Sequence, residues 1–157
     1  MRTESTSIQK IMEIMSALLL CLFISYISLS WFYMPDMIPG HYNAFGEIDR
    51  WGSKVEILFL PAITLFVYLI LTLISHYPSA WNVPRIRNEE NAAAVYNCLK
   101  TLLVLLKLEI IILFFFFSFF SISGKNLPAS YLPILLLVIL STTAYFTVKS
   151  YYLAGME

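Results

Sequence analysis

The chain has 157 residues, of which 59% are hydrophobic and only 13% charged, and ten basic side chains balance ten acidic ones. A soluble domain carries about a quarter charged residues, so the deficit points away from an ordinary water-soluble enzyme. The zero net charge offers no electrostatic attraction to nucleic acid, and no nucleic-acid partner is expected.

Residues 14–35 carry no charge. Roughly 20 apolar residues, rising about 1.5 Å each, cross the hydrocarbon of a bilayer, so a first transmembrane helix is predicted over 12–33. Its apolar run is longer than that of a signal peptide and no Ala-x-Ala cleavage signal follows, so the helix is expected to be retained. Residues 57–75 are also uncharged and predict a second span over 55–75. Ser53-Lys54-Val55-Glu56 reads as a capping box at its start, and Pro61 should bend it near that end. The third span, 101–123, is interrupted by Lys107 and Glu109. Asn88, Glu89 and Glu90 read as an earlier helix start, with 89–100 as a stalk. Lys107 is expected to snorkel toward the headgroups. The uncharged run 126–148 predicts a fourth span over 128–148, with Pro128 in its first turn. The fold class expected is therefore an all-α membrane protein: one membrane domain over 1–157, four transmembrane helices, and an ordered extracytoplasmic loop between the first two.

Basic residues set the orientation. Arg2, Lys10, Arg85, Arg87, Lys100 and Lys149 fall on one side, against Arg50, Lys54 and Lys125 on the other. Both termini and the loop 76–100 are then cytoplasmic, and 34–53 faces outward. Trp31, Phe32 and Tyr33 outside, and Tyr77, Trp81, Tyr151 and Tyr152 inside, fit the aromatic belts that anchor spans. Cys21 and Cys98 lie in or beside predicted helices, without metal-type spacing.

The outward connection 34–53 is long for a structureless loop, and its composition predicts order. Pro35 and Pro39 stiffen it, Gly40, Gly46 and Gly52 permit turns, and Ile38, Tyr42, Phe45, Ile48 and Trp51 offer apolar anchors at short intervals. A compact cap over the outer helix ends is expected.

Residues 34–54 read MPDMIPGHYNAFGEIDRWGSK. This string resembles the signature of a small bacterial multipass membrane-domain family of unknown function, Pro-x-x-Ile-Pro-x-His-aromatic-Asn-x-x-Gly-x-x-Asp-x-aromatic-Gly-Ser-Lys. The same domain stands at the N-terminus of the immunity protein against the sporulation-delaying killing factor. Tyr77-Pro78-Ser79-Ala80-Trp81-Asn82 and Glu90-Asn91-Ala92 continue the likeness, with Ser79 where a histidine is common. The resemblance implies a multipass protein of the bacterial cytoplasmic membrane, with immunity as one role of a larger relative that has further helices.

Two groups of side chains invite chemistry. His41, Glu47 and Asp49 could hold a divalent cation or act as an acid/base set, but no second histidine or cysteine stands nearby. The competing reading is structural and weighs more. Asn43 and Asp49 close turns, Gly46 supplies one, His41 bonds Asp49 or a carbonyl, Trp51 anchors, and Lys54 or Arg50 pairs with a carboxylate. The same ordered cap, with its protonatable histidine, could bind a peptide or a lipid headgroup. The second group is Lys107 and Glu109 within a span, where a carboxylate is a functional candidate by default. Lys149 is a candidate partner, and a later start for the third helix, with Glu109 at the interface, is the bland reading and weighs more. The four phenylalanines at 114–117 cover every helix face and read as lipid contact and packing.

The residues favour a non-enzymatic role, binding, protecting or assisting at the membrane through the cap, in an immunity-like manner. The alternatives are a small transporter component using Glu109 and a metal-dependent membrane enzyme using His41, Glu47 and Asp49. Membrane lipid is the expected partner, with a peptide or another membrane protein as further candidates, and no cofactor is expected.

Overall fold

The computed structural model describes residues 5–87 and 89–155. Arg2 and Asn88, used above for orientation and as a helix start, lie outside the described residues. The fold is mostly helical, with four helices long and apolar enough to cross a membrane. They are α1 (Ser7–Ser30), α2 (Phe59–His76), α3 (Ala92–Ile122) and α4 (Tyr131–Leu153). The expectation of helices alone omitted one element. Between α1 and α2 the chain forms an antiparallel hairpin of β1 (Met37–Tyr42) and β2 (Ile48–Ser53).

The helix ends differ from the sequence reading for local reasons. α1 starts earlier because Thr6 and Gln9 form a capping box: the Gln9 amide donates to Thr6 Oγ1 at 3.2 Å and the Thr6 amide to Gln9 Oε1 at 3.0 Å. At the second span, Ser53 Oγ accepts from the Val55 amide at 3.4 Å, and a 3₁₀ turn, Lys54–Leu58, leads into α2. Pro61 therefore falls in the first turn of the α-helix, where its missing N–H is tolerated, and the change of helix type lies just before it. The stalk and the third span are one α-helix of 31 residues, about 46 Å long at 1.5 Å per residue. Pro128 precedes α4 rather than opening it; its carbonyl accepts from the Tyr131 amide at 2.8 Å.

α3 is the central helix, with α1, α2 and α4 each packed on it. α1 runs in the same direction as α3. Gln9 bonds Thr101 at one end, while Phe23 and Tyr26 meet Phe115 with ring centroids 5.5 Å apart near the other. α4 runs the opposite way, so Tyr131 donates to the Leu113 carbonyl and Cys98 to the Phe146 carbonyl. The buried face of α1 is a stripe of Gln9, Ser16, Leu20, Phe23 and Ile27, the spacing of one helical face. Phe23 and Ile27 continue into a core with Met34, Ile38 and Ile57, so the hairpin and the bundle share one hydrophobic cluster. The outer faces stay apolar. Leu137 and Leu140 of α4 are 69% and 66% exposed. Helices apolar on all sides, with such faces uncovered by protein, require a hydrocarbon surround.

Candidate functional site

The hairpin is shaped by its irregularities. Pro39 pairs with Trp51 and His41 with Arg50, leaving Gly40 as an extra residue; Tyr42 then pairs with Ile48, leaving Asp49 extra on the other strand. Such bulges twist a strand and redirect its side chains, and Pro39, which has no amide hydrogen, suits that position. Across the bulged region His41 Nδ1 and Asp49 Oδ1 lie 2.7 Å apart. Arg50 donates to the Gly40 carbonyl at 2.9 Å and to both oxygens of Glu56, at 2.7 and 3.2 Å. Glu56 thus bonds Arg50 and also reaches back to the Ser53 backbone, as the capping box requires. Its carboxylate lies against Gly52, where a Cβ would collide with it.

The turn is organised by Asn43. Its Oδ1 accepts from the amides of Phe45 (2.9 Å) and Glu47 (3.0 Å), and its Nδ2 donates to the Glu47 carboxylate at 2.9 Å. Gly46 has φ +81°, and a Cβ there would sit 2.5 Å from the Leu127 carbonyl oxygen. That close approach lets the Leu127 amide donate to the Gly46 carbonyl at 2.8 Å. Asn126 Oδ1 accepts from the Ile48 amide at 3.0 Å, Tyr42 donates to the Lys125 carbonyl at 3.1 Å, and Ser121 donates to the Pro39 carbonyl at 2.5 Å. Burial pushes the Tyr42 hydroxyl up to about 12. At the open edge Lys54 holds Asp36 at 2.8 Å and lies over the Trp31 ring, 5.4 Å from its centroid. The hydrogen bond and charge of Lys54 lower the Asp36 carboxyl below its ordinary value.

The predicted cap residues therefore come together at one end of the bundle. His41 pairs with Asp49, Asn43 and Gly46 make the turn, and Lys54 ties the hairpin to α1. Trp51 is half exposed on β2, beside Gly124. Glu47 is bonded to Asn43, away from the pair of His41 with Asp49. Among the described residues no group of three His, Cys, Asp or Glu could hold a metal ion. The residues missed by the sequence reading are Ser121, Lys125, Asn126 and Leu127, which receive the hairpin from the far side of the chain.

Beneath β1 lies a cavity of about 420 Å³, walled by residues including Ile38, Pro39, Tyr42, Ile57, Leu60 and Phe117. This size is usual for a small-molecule site.

The intramembrane charges behave differently from expectation. Lys107 does not snorkel. It is buried inside the bundle, with its ammonium 2.5 Å from Glu13 of α1, 3.2 Å from Thr72 Oγ1 of α2 and 5.2 Å from the centre of the Tyr68 ring. Burying an ammonium is costly unless a counter-charge and hydrogen bonds compensate it, and Glu13, Thr72 and Tyr68 supply them. Glu109 accepts from Thr142 of α4 at 2.8 Å, and the candidate partner Lys149 lies instead over the Tyr145 ring. The other Glu109 oxygen is buried without a hydrogen-bond partner among the described residues.

Comparison with known proteins places these features in a wider group. An uncharacterized protein of Archaeoglobus fulgidus is 38% identical over 73 residues, an alignment that covers 37% of this chain and 40% of the relative. The chain thus spans about two fifths of the length of the curated relative it matches. No solved structure matches. The segment that forms most of α1, the whole hairpin and the start of α2, residues 17–65, matches a domain of unknown function, DUF1648.

Proposed function

We propose that this multipass membrane protein is non-enzymatic and acts by binding, through its hairpin end, in a protective or accessory role. The observation that carries the reading is the cavity under β1, next to polar side chains that are already engaged with one another. Hydrogen bonds committed to holding a shape suit a rigid recognition surface more than acid/base chemistry, which needs a group free to exchange protons with a substrate. Lys10, Arg85, Arg87, Lys100 and Lys149 lie toward the opposite end from Arg50, Lys54 and Lys125. That bias supports cytoplasmic termini and an outward hairpin in a prokaryotic cytoplasmic membrane. Resemblance of the hairpin sequence to the domain of an immunity protein supports the protective form of the role.

The test is a growth challenge with membrane-active peptides in bacteria that express the chain. Protection is expected with wild type and its loss with a hairpin variant, Asn43→Ala, that still reaches the membrane in equal amount. Equal sensitivity with and without the chain across the peptides would overturn the protective role.

A second reading rests on Glu109. A carboxylate within a span with one unpartnered oxygen suits a site that takes up a proton. Proton flux into liposomes containing the chain, abolished by Glu109→Gln, would replace the binding reading with a transport one.

A further inference from the structure

The cavity under the hairpin has features that restrict what can occupy it. Each of its polar lining side chains has a bond within the chain: Ser121 to the Pro39 carbonyl, Tyr42 to the Lys125 carbonyl, Glu56 to Arg50, which also holds the Gly40 carbonyl, and His41 through Nδ1 to Asp49. A site built for a polar metabolite leaves polar groups that the metabolite must complete. Here the remaining walls are the apolar faces of Ile38, Ile57, Phe59, Leu60 and Phe117. An occupant gains there by burying hydrocarbon and loses by burying anything polar.

The position of the cavity is the second feature. It lies where β1 meets the start of α2 and the last turns of α3, at the ends of two segments long enough to span a bilayer. Phe59, at the start of α2, is 73% exposed beside it, so hydrocarbon outside the protein is continuous with the cavity wall. Beside the lining residues Glu56 and His41 stand Arg50, ion-paired with Glu56, and Asp49, hydrogen-bonded to His41, all with exposed side chains. A guanidinium next to carboxylates complements a head group that itself carries both signs, its phosphate toward Arg50 and its ammonium toward Asp49 and Glu56.

We infer that the cavity holds one acyl chain of a zwitterionic membrane phospholipid, with its head group on the Arg50, Glu56 and Asp49 rim. The inference rests on the reading of the hairpin as the binding end and gives that end its ligand class. The hairpin then recognises the bilayer surface itself, and the bound lipid fills the space between β1 and α2.

The full chain, purified in nonionic detergent and delipidated, is offered dioleoylphosphatidylethanolamine or dioleoylphosphatidylglycerol at stoichiometric amounts, and retention is read by native mass spectrometry. Wild type is expected to keep one phosphatidylethanolamine per chain and to keep phosphatidylglycerol several-fold less. Leu60→Trp, which fills part of the cavity, is expected to lower retention about tenfold, the effect of excluding about two methylenes. Arg50→Gln with Glu56→Gln, which leaves the apolar walls unchanged, is expected to retain a lipid without discriminating the two head groups. No retention by wild type, equal retention in a folded Leu60→Trp, or unchanged discrimination in the double variant would overturn the assignment. No retention alongside intact peptide protection would remove the lipid and leave the binding role. Retention without protection would keep the lipid and remove the protective role.

Discussion

The hairpin and the helix bundle both contain ion pairs, and the two regions use them differently. Around the hairpin, the Arg50–Glu56 pair and the hydrogen-bonded His41 and Asp49 have exposed side chains, and in the Lys54–Asp36 pair Asp36 is 90% exposed while Lys54 keeps 27%. In the bundle, Lys107 has no exposed side-chain surface, while Glu13 keeps 30%. Exposed pairs are screened and cost little to break, so they select among shapes that other forces already permit. A buried ammonium must be met by a carboxylate or the helices cannot close around it. The hairpin charges therefore refine a local shape, whereas the Lys107 charge decides which helices assemble: α1 supplies the carboxylate, α2 the hydroxyl of Thr72, and α3 the cation.

This contrast is broken most severely at Glu13. Glu13→Leu leaves the Lys107 ammonium buried without its counter-charge, and a loss of about 3–5 kcal/mol is expected, measured by unfolding in detergent micelles. Adding Lys107→Met removes the stranded charge, and the double variant should return to within about 1 kcal/mol of wild type. If the two single losses simply added, the pair would not be acting as a unit.

Gly46→Ala comes next. The new Cβ meets the Leu127 carbonyl while the backbone is held at positive φ, so a loss of about 1–3 kcal/mol is expected. The same variant should speed hydrogen exchange at the Leu127 amide, since the shift needed to relieve the collision breaks its bond to Gly46. Exchange elsewhere in α1 and α3 should change little.

The exposed pairs should give the smallest effects. Removing Arg50 as Arg50→Gln should destabilise less than either change above, and the difference from wild type should shrink as salt is raised. For Asp36 the sign follows from its lowered pKa. Its pairing with Lys54 contributes above the ordinary carboxylate value and is lost as pH falls through the lower folded-state value. Asp36→Asn should flatten that part of the acid limb of stability, read as the difference between the two pH profiles.

Three of the four helices were legible because an uncharged run of span length has few alternatives in lipid, where each backbone amide must be satisfied within its own segment, and the third was legible from apolar residues on either side of Lys107 and Glu109. The order of the hairpin was legible in its glycines, prolines and anchors, but its strands were not. The bulges at Gly40 and Asp49 break the two-residue alternation by which strands are recognised, so β1 buries Ile38, Pro39 and Tyr42 without a simple period. The ties to Lys125, Asn126 and Leu127 join segments far apart in the chain and left no local pattern. Glu13 is a different case. It lies four residues after Gln9 and three before Ser16, on the same stripe that continues through Leu20, Phe23 and Ile27. As the border of the uncharged run 14–35 it gives no sign of a partner. Taken by helical face, it pointed into the bundle, where Lys107 needed a partner.

The orientation of the hairpin is the claim on which the binding role depends, and cysteine accessibility tests it most directly. In a chain with Cys21 and Cys98 replaced by serine, Phe45→Cys places a thiol at the exposed hairpin turn and Ser79→Cys places one in the connection between α2 and α3. A membrane-impermeant maleimide added to intact cells should label position 45 and spare position 79 until the cells are opened. Labelling of position 79 but not 45 in intact cells would turn the hairpin to the cytoplasm and contradict the account.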